Sequence, residues 1–113
     1  MDAFRQMFLN ILDNAVKFSP IGEKIEVKLL DNLNSINLSI EDRGPGVPLR
    51  SRERIWDPYY RAHTGAKSAV GGTGIGLAIV KELARLQNLD VSMDQREGGG
   101  SKFMITINKK KLS

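Results

Sequence analysis

The sequence contains no cysteine, so no disulfide can stabilise the fold, but 113 residues are enough to bury a hydrophobic core. It also lacks a long apolar run and a signal-peptide pattern, so we expect neither a membrane span nor a secretory signal. The one aromatic cluster, Trp56, Tyr59 and Tyr60, is local, whereas nucleic-acid binding needs aromatics interleaved with a basic stripe. These absences predict a single cytoplasmic domain that binds neither nucleic acid nor membrane.

The charge balance adds little to this picture. The formal net charge is +4, and the run from Lys109 to Lys111 supplies three of the positive charges. A run of like charges at a chain end is typical of a solvated tail. We therefore assign residues 1–108 to one folded domain and residues 109–113 to a basic C-terminal tail.

Hydrophobic periodicity predicts two helices. Between Phe4 and Ala15 the apolar residues recur at intervals of three and four, which is typical of a helix with one buried face that ends before Ser19. After an irregular stretch from about Gly44 to Thr73, the same spacing returns. We expect a second helix there, with a buried face formed by Ile75, Ala78, Ile79, Leu83 and Leu86.

Alternation of apolar and polar residues predicts four strands. Residues 25–29 and 36–40 should form a half-buried hairpin, and residues 90–94 and 102–107 a second hairpin around a glycine-rich turn. Helices that separate the strands in this order indicate an α+β fold. We expect a two-layer α/β sandwich with the helices on one face of a mixed sheet.

The first candidate site is a polar row on the first helix. Asn10, Asn14 and Lys17 are four and three residues apart, so they lie along one edge of the apolar stripe. Asparagine is a mediocre helix former, and two of them in mid-helix are either surface residues or face a cleft. In a cleft, an amide oxygen can complete a magnesium shell while the lysine neutralises phosphate oxygens.

The second candidate is Asp42, which follows the strand at residues 36–40. Even-numbered positions of that strand face the core, so the carboxylate falls on the buried side, where an unpaired charge is costly. It either caps the following turn or accepts a hydrogen bond from a ligand amine. Gly44 and Gly46 would allow such a ligand to approach the backbone.

The third candidate is the glycine-rich segment from Gly71 to Leu77, which leads directly into the second helix. A helix start offers free amide donors and the positive end of the helix dipole, so the segment is either a phosphate-binding loop or a flexible linker with a helix cap. It is not a dinucleotide-binding fingerprint, because no strand precedes it. It also lacks the Gly-Lys-Ser/Thr ending of a P-loop.

Together, in this order and spacing, these segments resemble the catalytic domain of sensor histidine kinases, within the GHKL superfamily of ATP-binding proteins. Residues 8–19 resemble the N box, residues 42–46 the first glycine box, residues 55–61 the F box, residues 72–78 the second glycine box and residues 98–103 the last. The resemblance implies a Bergerat-type ATP-binding fold. The strand that precedes the first helix in the family is missing here, which would leave a sheet edge unpaired.

The resemblance also implies roles at the metal and the base. Asn14 would ligate the magnesium ion that bridges the ATP phosphates, and Asp42 would accept a hydrogen bond from the adenine amino group. Phe18 would pack near the base, and Thr106 would form a small polar floor under it. Magnesium and ATP are therefore the expected cofactors.

At the phosphate end, Asn10, Lys17 and Arg61 would be the catalytic residues. Residues from about 58 to 73 would form a mobile lid over the nucleotide, hinged at its glycines. The full set of implied ATP-binding residues is Asn10, Asn14, Lys17, Phe18, Asp42, Gly44, Gly46, Tyr60, Arg61, Gly72, Thr73, Gly74, Ile75, Gly76, Leu77 and Thr106.

The implied activity is that of a protein-histidine kinase, which transfers the γ-phosphate of Mg-ATP to a histidine on a separate dimerisation domain. That domain is absent from this chain, so no autophosphorylation is expected of the chain alone. The receiver domain of a response regulator is the other implied partner. His63, the only histidine, falls in the expected lid and is not the expected acceptor. The complete kinase could be anchored in a membrane, with this domain in the cytoplasm.

Three alternatives remain open. In ATP hydrolases of the superfamily, a glutamate four residues before the metal-binding asparagine activates water, but that position is Asn10 here and an amide is not a general base. An anti-sigma-type serine kinase shares the N box and the glycine boxes, although the F-box-like residues 55–61 favour a histidine kinase. A non-catalytic nucleotide-binding docking module is disfavoured by the intact Asn14 and Asp42.

Overall fold

The described part of the chain contains two α-helices, each followed by two strands, in the order that the sequence predicts. A computed structural model describes residues 2–57 and 76–112, and residues 111 and 112 are described by their backbone alone. Within these ranges, no helix is long and apolar enough to cross a membrane. The elements are α1 (Asp2–Phe18), β1 (Glu26–Asp31), β2 (Ser35–Glu41), α2 (Gly76–Gln87), β3 (Asp90–Gln95) and β4 (Ser101–Asn108), with short 3-10 turns at Leu49–Ser51, Arg54–Trp56 and Lys109–Leu112.

The four strands form one sheet in the order β1-β2-β4-β3, and every pairing among the described residues is antiparallel. The expected two-layer sandwich is confirmed, but the expectation of a mixed sheet was wrong. The crossover through α2 does connect β2 and β3, which run in the same direction. They are not neighbours, however, because β4 lies between them and pairs with both.

The core lies between the inner face of the sheet and the two helices. Trp56 is the last residue of the 3-10 turn Arg54–Trp56 and packs this turn onto the core. Its ring lies edge-to-face against Phe103, with 5.9 Å between the ring centroids. The buried apolar residues come from both layers and are Met7, Ile11, Ala15, Ile40, Ile55, Val80, Ala84, Phe103 and Ile105.

The buried face of α2 differs from the one that we predicted. Ile79 and Leu86 are exposed, the latter at 62%, whereas Val80 and Ala84 are fully packed. The segment has apolar residues on several sides of the helix, so hydrophobic periodicity alone was compatible with two different buried faces. The structure selects the stripe with smaller side chains, which lets α2 pack closely on α1.

The first hairpin is also less buried than predicted. β2 lies under α1, but Val27 and Leu29 of β1 are 48% and 71% exposed although they point to the same face as Leu38 and Ile40. α1 packs over β2 and α2 packs over β3, so β1 extends beyond the helical layer. Alternation predicted the face correctly and could not reveal whether a helix covers it.

The basic C-terminal run begins as part of the folded structure. The backbone N–H of Lys109 donates to the carbonyl of Asn34 at 2.9 Å, and its ammonium pairs with Asp31 at 2.6 Å. These contacts attach residue 109 to the turn between β1 and β2. The domain boundary that we expected between residues 108 and 109 stays a prediction.

The turn between β3 and β4 contains three consecutive glycines with positive φ angles: Gly98 at 90°, Gly99 at 113° and Gly100 at 100°. At Gly100 the backbone also packs directly against the chain that leaves β2, because a Cβ there would lie 2.0 Å from the carbonyl oxygen of Asp42. At Gly99 a Cβ would meet nothing within 4 Å. Only Gly100 is therefore required both for its conformation and for its lack of a side chain.

We predict that Gly100→Ala destabilises the fold by clearly more than Gly99→Ala, measured as the free energy of unfolding in urea. Both variants carry the strain of a positive φ, roughly 1 kcal/mol or more, but only Gly100→Ala adds a clash with backbone atoms. The comparison is internally matched, because the two positions share the turn and the sign of φ. Equal losses of stability in the two variants would contradict this packing.

Candidate nucleotide-binding site

Asp42 directly follows β2 and lies on the inner face of the sheet. It is 2% exposed, as the alternation along β2 predicts. Its Oδ1 accepts two backbone hydrogen bonds, from the N–H of Gly44 at 2.9 Å and from the N–H of Ser101 at 3.2 Å. Among the described residues, none donates a hydrogen bond to Oδ2, and its lone pairs can accept from a ligand donor.

Both interpretations of Asp42 from the sequence therefore have a structural counterpart. The bond to Gly44 is the turn cap, and Oδ2, to which no residue of the described ranges donates, is compatible with a ligand contact. Burial raises the pKa of Asp42 above its ordinary value of 3.8, and the hydrogen bonds from Gly44 and Ser101 and the nearby charge of Arg96 oppose this shift. Within residues 2–57 and 76–110, no cation forms an ion pair with this buried acceptor.

The end of α1 is fastened to the loop that follows Asp42. A Cβ at Gly44 would lie 2.5 Å from the carbonyl oxygen of Phe18, so the two backbones touch. The N–H of Arg43 donates to Ser19 Oγ at 3.2 Å, and its guanidinium pairs with Glu26 at 3.2 Å. Phe18, which we expected near the base, thus lies beside the segment that carries Asp42.

Gly46 brings the same loop against the turn between β3 and β4. It has a φ of 76°, and a Cβ there would lie 3.4 Å from the carbonyl oxygen of Gly100. Two of the glycine segments singled out in the sequence are therefore in contact. They enclose Asp42 from both sides.

The polar row on α1 faces the start of α2. Asn10 Nδ2 donates to the carbonyl oxygen of Gly76 in a long contact of 3.4 Å, and Asn10 Oδ1 accepts from Gln6 at 2.8 Å. Gly76 is the first residue of α2, where backbone amides are free of helical partners and the helix dipole is positive. The row and the helix start together suit an anion such as a phosphate.

Lys17 and Asn14 continue this row towards the end of α1. The Lys17 ammonium pairs with Asp13 at 3.0 Å, with both side chains substantially exposed. Such a surface pair is worth about 0–1 kcal/mol, so little opposes its exchange for a phosphate. Asn14 is partly exposed and lies one helical turn from Asn10, on the same side of α1.

A nucleotide-bound magnesium ion is compatible with these side chains. In the described part of the chain, no cluster of three or more His, Asp or Glu residues could hold a metal ion. Magnesium that arrives with a nucleotide needs no such cluster, because it keeps waters and phosphate oxygens as ligands and takes only one or two from the protein. The amide oxygen of Asn14 suits that single position.

The structure separates Thr106 from this site, contrary to our expectation. Thr106 pairs across the sheet with Asn37 and Asp90, on the face opposite to its buried neighbour Ile105. Asp42 instead lies beside Ser101, at the other end of β4 and on the helical face. The family resemblance implied that Thr106 forms a polar floor for the base, but the alternation of β4 places its side chain on the opposite face of the sheet.

Other predicted residues are placed differently or lie outside the described ranges. Leu77 packs its side chain against the core, so a nucleotide contact there would involve its backbone. The predicted lid at about residues 58 to 73 and the remaining predicted contacts fall outside the described residues, and they stay predictions. The predicted nucleotide contacts outside the described residues are Tyr60, Arg61, Gly72, Thr73, Gly74 and Ile75.

Two residues beside Asp42 were not predicted. The N–H of Ser101 donates to the carboxylate, and Arg96 lies near enough for its charge to act on it. Ser101 follows three glycines and opens a strand, which marks a close approach of two backbones. No sequence signal distinguishes Arg96 from an ordinary surface arginine.

Sensor kinases are among the proteins that this chain resembles in sequence. It is 33% identical over 108 residues to the sensor protein kinase WalK of Staphylococcus aureus, which covers 94% of this chain and 26% of that protein. The chain thus spans about a quarter of the length of this curated relative.

Solved structures of sensor histidine kinases share the fold. The mycobacterial sensor histidine kinase MprB matches with a TM-score of 0.82 and 28% identity over 95% of this chain and 70% of that chain. Full-length ShkA, solved in complex with AMPPNP, matches with a TM-score of 0.76 and 30% identity over 92% of this chain and 21% of that chain. Residues 1–111 match the family model of the histidine kinase-, DNA gyrase B- and HSP90-like ATPases, and the chain belongs to that family.

Proposed function

We propose that this chain is the ATP-binding catalytic domain of a two-component sensor histidine kinase. It binds Mg-ATP and transfers the γ-phosphoryl group to a histidine on a separate dimerisation domain. The observation that carries the proposal is the buried carboxylate of Asp42, which two backbone amides hold through Oδ1 while no described residue donates to Oδ2. The likeness to WalK and MprB supports the kinase assignment, and the remaining length of WalK leaves room for further domains.

Base selection follows from the geometry around Asp42. Adenine carries an exocyclic amino donor where guanine carries a carbonyl oxygen, and a buried carboxylate oxygen can only accept. A guanine oxygen facing Oδ2 would leave two acceptors in contact and neither of them satisfied. ShkA was solved with AMPPNP, an adenine nucleotide, which agrees with an adenine site in this fold.

The phosphate end lies along α1 towards the start of α2. We infer that Asn14 supplies the protein ligand to magnesium, while Lys17 and Asn10 contact the phosphate oxygens. The first amides of α2, which begins at Gly76, add further donors. Arg61 and a lid at about residues 58 to 73 complete the proposed site.

The chemistry follows from what these residues can do. Phosphoryl transfer depends mainly on positioning and charge stabilisation, so the domain presents the γ-phosphate to an imidazole nitrogen of the acceptor histidine. That nitrogen bonds to phosphorus while the bond to the ADP oxygen breaks, and Mg-ADP leaves. Hydrolysis is disfavoured because Asn10 stands where a general base would be needed to activate water.

We predict that the chain alone, incubated with γ-labelled ATP, neither becomes labelled nor hydrolyses ATP rapidly. When it is mixed with a separately made histidine-bearing domain of its own kinase, slow transfer of label to that domain should appear. The rate is limited by the encounter of two untethered domains. Asn14→Ala should abolish most of this transfer, because the γ-phosphate would lose its metal-bound geometry.

A matched control for that variant is Asn108→Ala, which removes an amide at the far end of β4. Its transfer rate should equal that of the parent. Acid-labile label on the isolated chain, or rapid release of inorganic phosphate by it, would favour an autonomous enzyme instead. Unchanged transfer by a folded Asn14→Ala variant would remove Asn14 from the metal site.

We predict that ATP displaces a fluorescent adenine nucleotide from the chain far better than GTP does, and that Asp42→Asn reduces this preference by about 10- to 100-fold. A hydrogen bond to a charged group contributes about 1.5–3 kcal/mol. The replacement amide is a weaker acceptor for the adenine amino group, and it can also donate to the guanine carbonyl.

The control is Asp90→Asn, which neutralises an exposed carboxylate on β3 and should leave the preference unchanged. Acidification offers a second check. Because burial raises the pKa of Asp42, the ratio of ATP to GTP affinity should fall with decreasing pH before an ordinary aspartate would be protonated. The triphosphates titrate alike, so they cancel in the ratio. Equal displacement by ATP and GTP in the parent would refute the role of Asp42.

A further inference from the structure

The turn between β3 and β4, residues 96–100, needs a constraint beyond what its three glycines provide. Its three consecutive glycines at positive φ are the most flexible residues available, and ordering them costs more conformational entropy than ordering any other residue type. Without a constraint, the turn would sample many conformations. The direction of the Ser101 N–H, which follows the turn, would then vary as well.

Arg96 supplies that constraint through three hydrogen bonds. Its backbone N–H donates to the carbonyl of Gly100 at 3.0 Å, and its carbonyl accepts from the N–H of Gly99 at 2.9 Å. Its side chain closes the turn, because Nε donates to the carbonyl of Gly99 at 2.7 Å. The guanidinium thus lies against the glycines, and a Cβ at Gly98 would be 3.5 Å from one of its terminal nitrogens.

The turn that Arg96 holds is the one that orients the base acceptor. Ser101 donates its N–H to Asp42 Oδ1 and accepts the Asp42 N–H at 2.9 Å, while Gly100 packs against the Asp42 carbonyl. Movement of the turn would therefore release one of the two amides that aim the carboxylate. The charge of Arg96 also acts on Asp42, because it lowers the pKa that burial raises.

We propose that Arg96 is a positioning residue for Asp42, which it serves by closing the triple-glycine turn through its Nε–Gly99 hydrogen bond and so fixing the adenine-selective direction of the carboxylate. The inference rests on the proposed function, because it assumes that Asp42 reads the base of a nucleotide. It adds a residue that never touches the nucleotide to the determinants of base specificity.

Three substitutions separate the hydrogen bond from the charge. Arg96→Gln keeps an N–H donor at the position of Nε and removes the positive charge, whereas Arg96→Met removes both. Arg96→Lys keeps the charge but has a methylene at the ε position. For each purified variant, the ratio of ATP to GTP affinity is measured by displacement of a fluorescent adenine nucleotide, and the thermal unfolding midpoint is recorded.

The ratio is the decisive quantity, because partial unfolding lowers the apparent affinity for both nucleotides equally and leaves their ratio unchanged. We expect Arg96→Met to reduce the ratio by about 2- to 12-fold, the equivalent of one neutral hydrogen bond. Arg96→Lys should reduce it similarly, and Arg96→Gln should retain most of it. If Arg96 acted through its charge, the uncharged Arg96→Gln variant would not retain the ratio of ATP to GTP affinity.

Arg85→Met is the matched control, because Arg85 pairs with Glu82 on the exposed side of α2 and its loss changes the net charge equally. It should leave the ratio unchanged. If Arg96→Met keeps the parental ratio, or if Arg96→Lys keeps it while Arg96→Gln does not, the positioning role is wrong. If Asp42→Asn also leaves the ratio unchanged, the failure lies in the proposed base acceptor; if Asp42→Asn lowers it, only the role of Arg96 fails.

Discussion

The buried carboxylate of Asp42 is the constraint on which the rest of the site depends. Removing a carboxylate from water is costly unless hydrogen bonds replace the lost hydration, and here two backbone amides from separate segments do so. One amide belongs to the loop after β2 and the other to the start of β4. The glycines of both segments are needed because the backbones must come close enough to share one oxygen. What remains is an acceptor that is buried, oriented and still able to bind a donor.

α1 connects this base end to the proposed phosphate end. Its last turn touches the loop after Asp42 through Phe18 and Gly44, and its middle touches the start of α2 through Asn10 and Gly76. With a rise of about 1.5 Å per residue, Asn10 and Phe18 are about 12 Å apart along the helix. That separation suits an extended nucleotide better than an isolated phosphate. α1 thus carries the polar row from Asn10 to Lys17 between the start of α2 and the loop that follows Asp42.

The sequence predicted the elements and the central residue of the site for identifiable reasons. Even-numbered residues of β2 face the core, and Asp42 continues that series onto the buried face, because side chains alternate strictly along a strand. The same rule places Thr106 of β4 on the outer face with Asn37, opposite to the side that the family resemblance implied. Local patterns could not reveal that β4 lies between β2 and β3, or that neither α1 nor α2 covers Leu29. Those features depend on contacts between distant segments, as does the position of Arg96 beside Asp42.

The most direct test of the account is a calorimetric titration of the 113-residue chain with ATP, in the presence and absence of magnesium, followed by analysis of the recovered nucleotide. The account predicts saturable binding at one site per chain, tighter with magnesium than without it, and ATP recovered intact. Absence of binding by the folded chain, or magnesium-independent binding with rapid conversion to ADP, would contradict it.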